Sequence, residues 1–267
     1  MVDGVDGVEV GGVRIAFERE GHGPPLVLLH GFVGDGVGTW RYQLEKLSDE
    51  FTVVAWDAPG AGHSSAAPES FRLPDYADCL SGFVSALKLT HPYVAGLSFG
   101  SVLALELFHR HSGLPRKLVL ASASAGWAGS FPPDVVQERL QLSLQLSRLP
   151  AADFVAAMLP SMFSPGAAAD RVADFAANVA EFDPVGFRAM AMALAEADLR
   201  EVLAFIDVPS LLLYGDQDVR TPRQVADGLL AGIAGSRLVM IPGVGHINSV
   251  EAPDQFCAEV RTFLNER

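Results

Sequence analysis

Gly96-Leu97-Ser98-Phe99-Gly100 sets a serine between two glycines, directly after the apolar run Tyr93-Val94-Ala95 and directly before a stretch of helical period. At a sharp strand-to-helix turn the hydroxyl of Ser98 would stand exposed at the head of a helix. Unpaired amides there favour the negative charge that develops during nucleophilic attack. The flanking glycines fit this reading, because side chains in so tight a turn collide with the adjoining strand or helix. A serine hydroxyl is a weak nucleophile by itself, so a base must reach it.

Seven histidines are available. His22 sits in a Gly/Pro turn, His63 in a polar loop, and His91 opens the strand before the serine. His109 and His111 end the following helix, where cations are commonly structural. His30 closes the run Leu26–Leu29 and precedes Gly31-Phe32, a place suited to building an oxyanion hole rather than to moving protons. His246 is left. It follows Gly243-Val244-Gly245 after the last apolar run, in a loop able to present its imidazole across the sheet ends. A carboxylate must fix the histidine tautomer and stabilise the imidazolium. Ser122-Ala123-Ser124 offers no acid, whereas Gly215-Asp216-Gln217-Asp218 offers two. Either aspartate gives the chain order Ser, Asp, His.

The elements that must carry these residues follow from hydrophobic period. Val8–Glu20 alternates around Gly11-Gly12 as a hairpin does, so the chain is expected to open with two edge strands. Short apolar runs at Leu26–Leu29, Phe51–Ala55, Tyr93–Ala95, Leu118–Ala121, Leu211–Tyr214 and Leu238–Ile241 suit strands buried on both faces of a parallel sheet. Helical period separates them at Trp40–Leu47, Tyr76–Leu87, Val102–His111 and Val225–Leu230. Alternating strand and helix predicts an α/β fold with a mostly parallel, doubly wound sheet and an N-terminal antiparallel hairpin.

The alternation stops between Trp127 and Ile206, where helical patterning continues without a strand. The expected organisation is a core domain of residues 1–126 and 207–267 with a helical cap over 127–206. The cap holds four of the six methionines (Met158, Met162, Met190 and Met192) and seven phenylalanines, including Phe205. Packing explains most of these, but as a group they predict an apolar face toward the site. No lysine lies in the cap, and its five arginines are outnumbered by ten acidic residues, so no anion-binding cluster is visible in it. A neutral, fairly hydrophobic substrate is expected.

At 267 residues the chain can bury a large core. Its formal charge of -13 opposes phosphate backbones and anionic lipid, so neither nucleic acid nor a membrane is an expected partner. The first twenty residues do not read as a secretory signal and no apolar run is long enough for a membrane span, which predicts a cytoplasmic protein acting as a monomer or homodimer. Cys79 and Cys257 lie far apart without metal-ligand spacing and are expected to be buried free thiols.

Along its full length the sequence resembles the α/β-hydrolase superfamily, and more narrowly its esterase, enol-lactonase and carbon-carbon hydrolase branches. His30-Gly31-Phe32, the loop from Asp57 to Ser64, Gly96 to Gly100, Gly215 to Pro222 and Gly245-His246 carry the resemblance. It implies that Ser98, Asp218 and His246 form a catalytic triad, since the family's acid lies three residues after the glycine. Reach agrees: Asp218 is nearer the turn at Thr221-Pro222, which Asp216 would cap. The resemblance also implies an oxyanion hole from the amides of Phe32 and Phe99, and a structural Asp57. The serine argues against dehalogenases and epoxide hydrolases, similar proteins with a carboxylate nucleophile. Ser101 and Phe99 differ from residues frequent in relatives and are expected to reshape the acyl side of the pocket. Phe32, Trp127, Met158, Met162, Phe163, Met190 and Ile247 are expected to line it.

The expected activity is hydrolysis of a carboxylic ester of a small-molecule substrate through an acyl-enzyme, with no metal or organic cofactor. An enol-lactonase, a carbon-carbon bond hydrolase or a perhydrolase would use the same triad, and a slow-turnover ligand receptor is the reading from another class.

Overall fold

Polar-apolar alternation around two positive-φ glycines, Gly11 and Gly12, folds Asp6–Val10 (β1) back on Val13–Glu20 (β2). The pair is antiparallel, with Val10 opposite Val13 and Asp6 opposite Phe17. These strands begin a computed structural model that describes residues 5–68 and 70–266. Six further strands follow: β3 (Pro25–Leu29), β4 (Thr52–Trp56), β5 (Tyr93–Leu97), β6 (Lys117–Ala121), β7 (Ser210–Gly215) and β8 (Arg237–Ile241). They join one sheet in the order β1-β2-β4-β3-β5-β6-β7-β8. β2 runs antiparallel to β4, and β3 to β8 are parallel to one another.

Each strand lies within a residue or so of an apolar run read from sequence, but two expectations change. Only β1 of the hairpin is an edge, because β2 is paired on both sides and buries Ile15, Ala16 and Phe17. At the opposite end β8 is half-exposed along most of its length, since an edge strand has one neighbour and looser cover.

Helices cover both faces: α1 (Gly36–Leu47), α2 (Leu73–Ala86) and α3 (Phe99–Arg110) among the first strands. Five helices then occupy the run between β6 and β7: α4 (Pro133–Leu146), α5 (Ala151–Met158), α6 (Ala169–Ala180), α7 (Pro184–Glu196) and the short α8 (Arg200–Leu203). A 3₁₀ turn at Leu159–Ser161 extends α5. The chain closes with α9 (Arg223–Gly232), α10 (Asn248–Glu251) and α11 (Pro253–Asn265). Among the described residues no helix is long and apolar enough to cross a membrane.

Chain order steps from β3 outward to β4 and then back across β3 to β5, so the loops leaving β3 and β5 part on either side of a crevice. Open α/β sheets place their sites at such a reversal. His30-Gly31-Phe32 leaves β3 there, and Ser98 leaves β5 beside it. Phe205 departs from the packing expected of the insertion's aromatics, with 75% of its surface exposed. Cys79 and Cys257 are buried free thiols, and burial pushes each up to about 11.

Candidate active site

Ser98 sits between β5 and α3 with φ 54° and ψ -111°, a left-handed conformation that costs a non-glycine residue of order 1–3 kcal/mol. The neighbourhood holds it there. Its N–H donates to the Ala121 carbonyl at 2.9 Å, and its own carbonyl accepts from the Ser101 and Val102 amides at 3.0 and 3.2 Å. The two glycines are needed for close approach: a Cβ on Gly96 would lie 2.2 Å from the Gly100 carbonyl, and one on Gly100 would lie 2.1 Å from the Leu29 carbonyl. Ser101 packs into the same junction, its hydroxyl donating to the carbonyls of Gly96 at 2.6 Å and Ala121 at 2.9 Å.

His246 comes from the loop after β8 and is 2% exposed. Its Nδ1 lies 2.8 Å from Asp218 Oδ2, in the loop after β7. Asp218, also buried, is locked by its own turn. Oδ1 accepts from the Arg220 and Thr221 amides at 2.8 and 3.0 Å, and Oδ2 from the Thr221 hydroxyl at 2.6 Å. Burial alone would raise the Asp218 carboxyl, but the charge of His246 and the hydrogen bonds from His246 and Thr221 outweigh it, holding it well below the usual carboxylate range. A carboxylate acceptor at Nδ1 assigns the proton to that nitrogen and leaves Nε2 with a free lone pair.

Four contacts fix the backbone around His246. The His246 and Ile247 amides donate to the Met162 carbonyl at 2.8 and 3.0 Å, the Ser122 hydroxyl donates to the His246 carbonyl at 2.8 Å, and the Gly245 amide donates to Glu251 Oε2 at 3.0 Å. Asp216 holds the Gly243 amide at 2.7 Å. Asp216 therefore secures the turn that carries His246, and the cap of the Thr221 turn expected of it is supplied by Asp218.

On the β3 side, a Cβ on Gly31 would lie 3.8 Å from Ser98 Cβ, which measures how near this loop comes to the serine. The Ala58 amide donates to His30 Nε2 at 2.9 Å, so Nδ1 carries the proton and donates to the Gly31 carbonyl at 2.5 Å. Burial pushes the His30 pKa down and keeps the ring neutral. Asp57 spends one carboxylate oxygen on the Gly36 amide at the start of α1, at 2.9 Å, and the other on the His63 amide of the loop that follows it, at 2.8 Å. Among the described residues, the Phe32 and Phe99 amides donate to no acceptor in the chain.

A small, tight cavity is lined by Ser98 and His246 together with Gly31, Phe32, Met162, Phe175 and Ile247. Among the described residues, no three His, Cys, Asp or Glu side chains come together as a metal-binding group. A family model for the alpha/beta hydrolase fold matches residues 24–253. The chain belongs to the α/β-hydrolase family. It is 29% identical to a pimeloyl-[acyl-carrier protein] methyl ester esterase of Vibrio vulnificus over 261 residues, covering 94% of this chain and 98% of that one. An esterase from Thermogutta terrifontis superposes with TM-score 0.88 at 26% identity, covering 97% of this chain and 96% of that one. The enol-lactonase of Burkholderia xenovorans LB400 gives 0.87 at 25%, over 98% and 100%. The chain is a hydrolase, as these relatives and structural neighbours are.

Within this hydrolase the residues expected to meet substrate are spread over several environments. Phe32, Met162 and Ile247 line the cavity at Ser98; Met190 lines a second one that shares Phe32 with it. Trp127 meets the Phe32 ring edge-on at 6.1 Å. Met158 is buried, and Phe163 lines an open apolar groove with Leu159 and Val219 rather than the Ser98 cavity. The Phe99 ring stands against Tyr76, 5.4 Å between centroids. Neither Phe99 nor Ser101 therefore shapes the acyl side as expected, since the first side chain turns toward α2 and the second toward the sheet. Sequence reasoning missed Phe175, Ser122 and Glu251. Glu251, five residues after His246, was open to discovery as a carboxylate next to the base loop; the others had no local signal.

Proposed function

We propose that this chain is a serine hydrolase cleaving a carboxylic ester of a small to medium substrate through an acyl-enzyme. His246 Nε2 takes the proton of Ser98 Oγ as the alkoxide attacks the carbonyl carbon. Asp218 orients the imidazole and stabilises the imidazolium without itself taking the proton. The Phe32 and Phe99 amides receive the oxyanion of the tetrahedral intermediate. His246 then protonates the leaving alkoxide, and water, activated by the same imidazole, releases the acid and restores Ser98.

The observation that carries this reading is that a strained Ser98 and a carboxylate-bound His246 line one cavity. Strain at a residue whose side chain has no packing role is the mark of a group held for chemistry. Residues 127–206 act as a cap on a core of residues 1–126 and 207–267, and the apolar lining from Met162 and Phe175 supports an acyl group of hydrophobic character. No cofactor takes part in these steps. The ester-hydrolysing relatives support the bond type.

Labelling with a fluorophosphonate followed by peptide mass analysis tests it. The expected adduct is on Ser98, with multiple turnover of p-nitrophenyl esters. An adduct elsewhere that persists in Ser98→Ala would overturn the assignment.

A further inference from the structure

Two guanidinium groups meet beside Phe32. Arg220, two residues after Asp218, lies over the Phe32 ring at 5.5 Å from its centroid and donates through Nη1 to the Ser161 hydroxyl at 2.9 Å. Arg139 arrives from α4 and donates through Nη2 to the Arg220 carbonyl at 2.9 Å. Its guanidinium stacks 3.8 Å from the Phe131 ring centroid and 6.0 Å from that of Trp127. Both arginines are half-buried, and among the described residues neither is ion-paired with a carboxylate.

As it stands, this arrangement is uncomfortable. Burial, then repulsion from Arg139, pushes Arg220 down to about 10, and burial lowers Arg139 as well. Arg220 at least stays charged at neutral pH. The carboxylate whose field reaches both is Asp218, and its oxygens are already engaged by His246, Thr221 and the Arg220 amide. Each guanidinium spends one donor group on the chain and keeps the rest of its fork uncommitted. A purely structural role needs neither charge, because a neutral side chain stacks on Phe32 or Trp127 without desolvating a cation. Planar forks of this kind match a carboxylate two donors at a time.

We infer that Arg220 and Arg139 form a subsite for a carboxylate on the substrate, so that the ester cleaved at Ser98 is a monoester of a short dicarboxylic acid; this rests on the reading of Ser98 as the nucleophile. Phe32 offers its amide on the oxyanion side and its ring to Arg220. Phe32 also lines the Ser98 cavity, so the acid group binds beside its ring, with the methylenes of a glutaryl chain against the apolar lining. This replaces the expectation of a neutral substrate. That expectation counted charges within 127–206, whereas Arg220 lies outside that segment, 81 residues from Arg139. In a chain of formal charge -13 the pair is a local exception, which favours selection of one anion in one place over general attraction.

The test compares kcat/KM for mono-p-nitrophenyl glutarate with that for p-nitrophenyl hexanoate in the full chain. Wild type should favour the glutarate by about tenfold or more, the worth of a charge-assisted contact. Arg220→Gln and Arg139→Gln should each remove most of that ratio, while Arg139→Lys, which keeps the charge, should retain part of it. A ratio at or below one in wild type, or one unchanged in both glutamine variants, overturns the subsite. Glutarate alone gives an arm independent of catalysis. It should raise the wild-type melting temperature by about 2 °C or more at saturation, relative to butyrate, and the shift should vanish in Arg220→Gln. If no ester is turned over and Ser98 takes no fluorophosphonate, the hydrolase reading fails, and the glutarate shift then decides the arginine pair separately: its presence sustains the subsite, its absence overturns it.

Discussion

The amide of His246 donates to the carbonyl of Met162 at 2.8 Å, so the loop bearing the imidazole is hydrogen-bonded to the segment after α5 rather than left loose at the sheet end. Glu251 doubles the link. Its carboxylate accepts from the Gly245 amide at 3.0 Å and the Ser164 amide at 3.1 Å, and the Ser164 hydroxyl joins it. The placement of the imidazole therefore depends on residues 162–164 of the insertion as well as on Asp218.

Glu251→Ala removes an acceptor shared by the two segments. Hydrogen bonds to a charged group are worth about 1.5–3 kcal/mol each, less where solvent reaches them, so the melting temperature should fall by several degrees. Displacement of the imidazole should lower kcat by up to about a hundredfold with KM nearly unchanged. Glu251→Gln, which keeps one acceptor oxygen, should lie between. A Glu251→Ala enzyme with wild-type kcat would show that Asp218 and Met162 position His246 unaided.

Ser98→Ala should lower turnover on the order of a millionfold, because a triad without its nucleophile retains only binding and oxyanion contributions. Its melting temperature should stay within a degree or two of wild type, since Ser98 is held through its backbone and its hydroxyl donates to nothing in the described chain. Steady-state assays with a calorimetric scan of the same preparation measure both.

Much of this was legible in sequence. The parallel strands announce themselves as short Val- and Leu-rich runs because they are buried on both faces, and the turn at Ser98 is legible because two glycines bracket it at the one spacing that lets β5, Leu29 and α3 close together. What escaped depends on distance along the chain. Met162 meets His246 through a backbone carbonyl, which no side-chain pattern encodes. Arg139 and Arg220 meet only because the insertion returns over the β7 loop, and the interior position of β2 follows from pairing with β4, more than thirty residues on.

His30 gives a pH prediction. Burial lowers its folded pKa below the ordinary 6.5, so the neutral ring is the native form. Below about pH 6.5 the unfolded chain takes up a proton that the native state refuses, so this contribution is complete above that value and is lost as pH falls toward the folded pKa. Wild-type stability should therefore decline between pH 7 and 6, and His30→Asn, which does not titrate, should show a shallower slope over the same interval. Parallel urea melts of the two proteins decide it; identical slopes would mean that folding does not lower the His30 pKa.

Asp216 and Asp218 are two residues apart and hold different things, which separates their mutants. Asp218 grips His246 Nδ1 at 2.8 Å and is itself gripped by the Thr221 hydroxyl and two amides. Asn at this position can turn an N–H toward Nδ1 and so impose the wrong tautomer on the ring, leaving Nε2 protonated and unable to act as a base. Asp218→Asn should lower kcat by roughly four orders of magnitude. Asp216 is exposed and, among the described residues, accepts only from Gly243 and Gln217, so Asp216→Ala should cost about 1 kcal/mol of stability and less than tenfold in kcat, through a looser His246 loop. Turnover and melting temperature measured on both mutants resolve the two roles, and a larger loss of kcat in Asp216→Ala than in Asp218→Asn would move the orienting acid to Asp216.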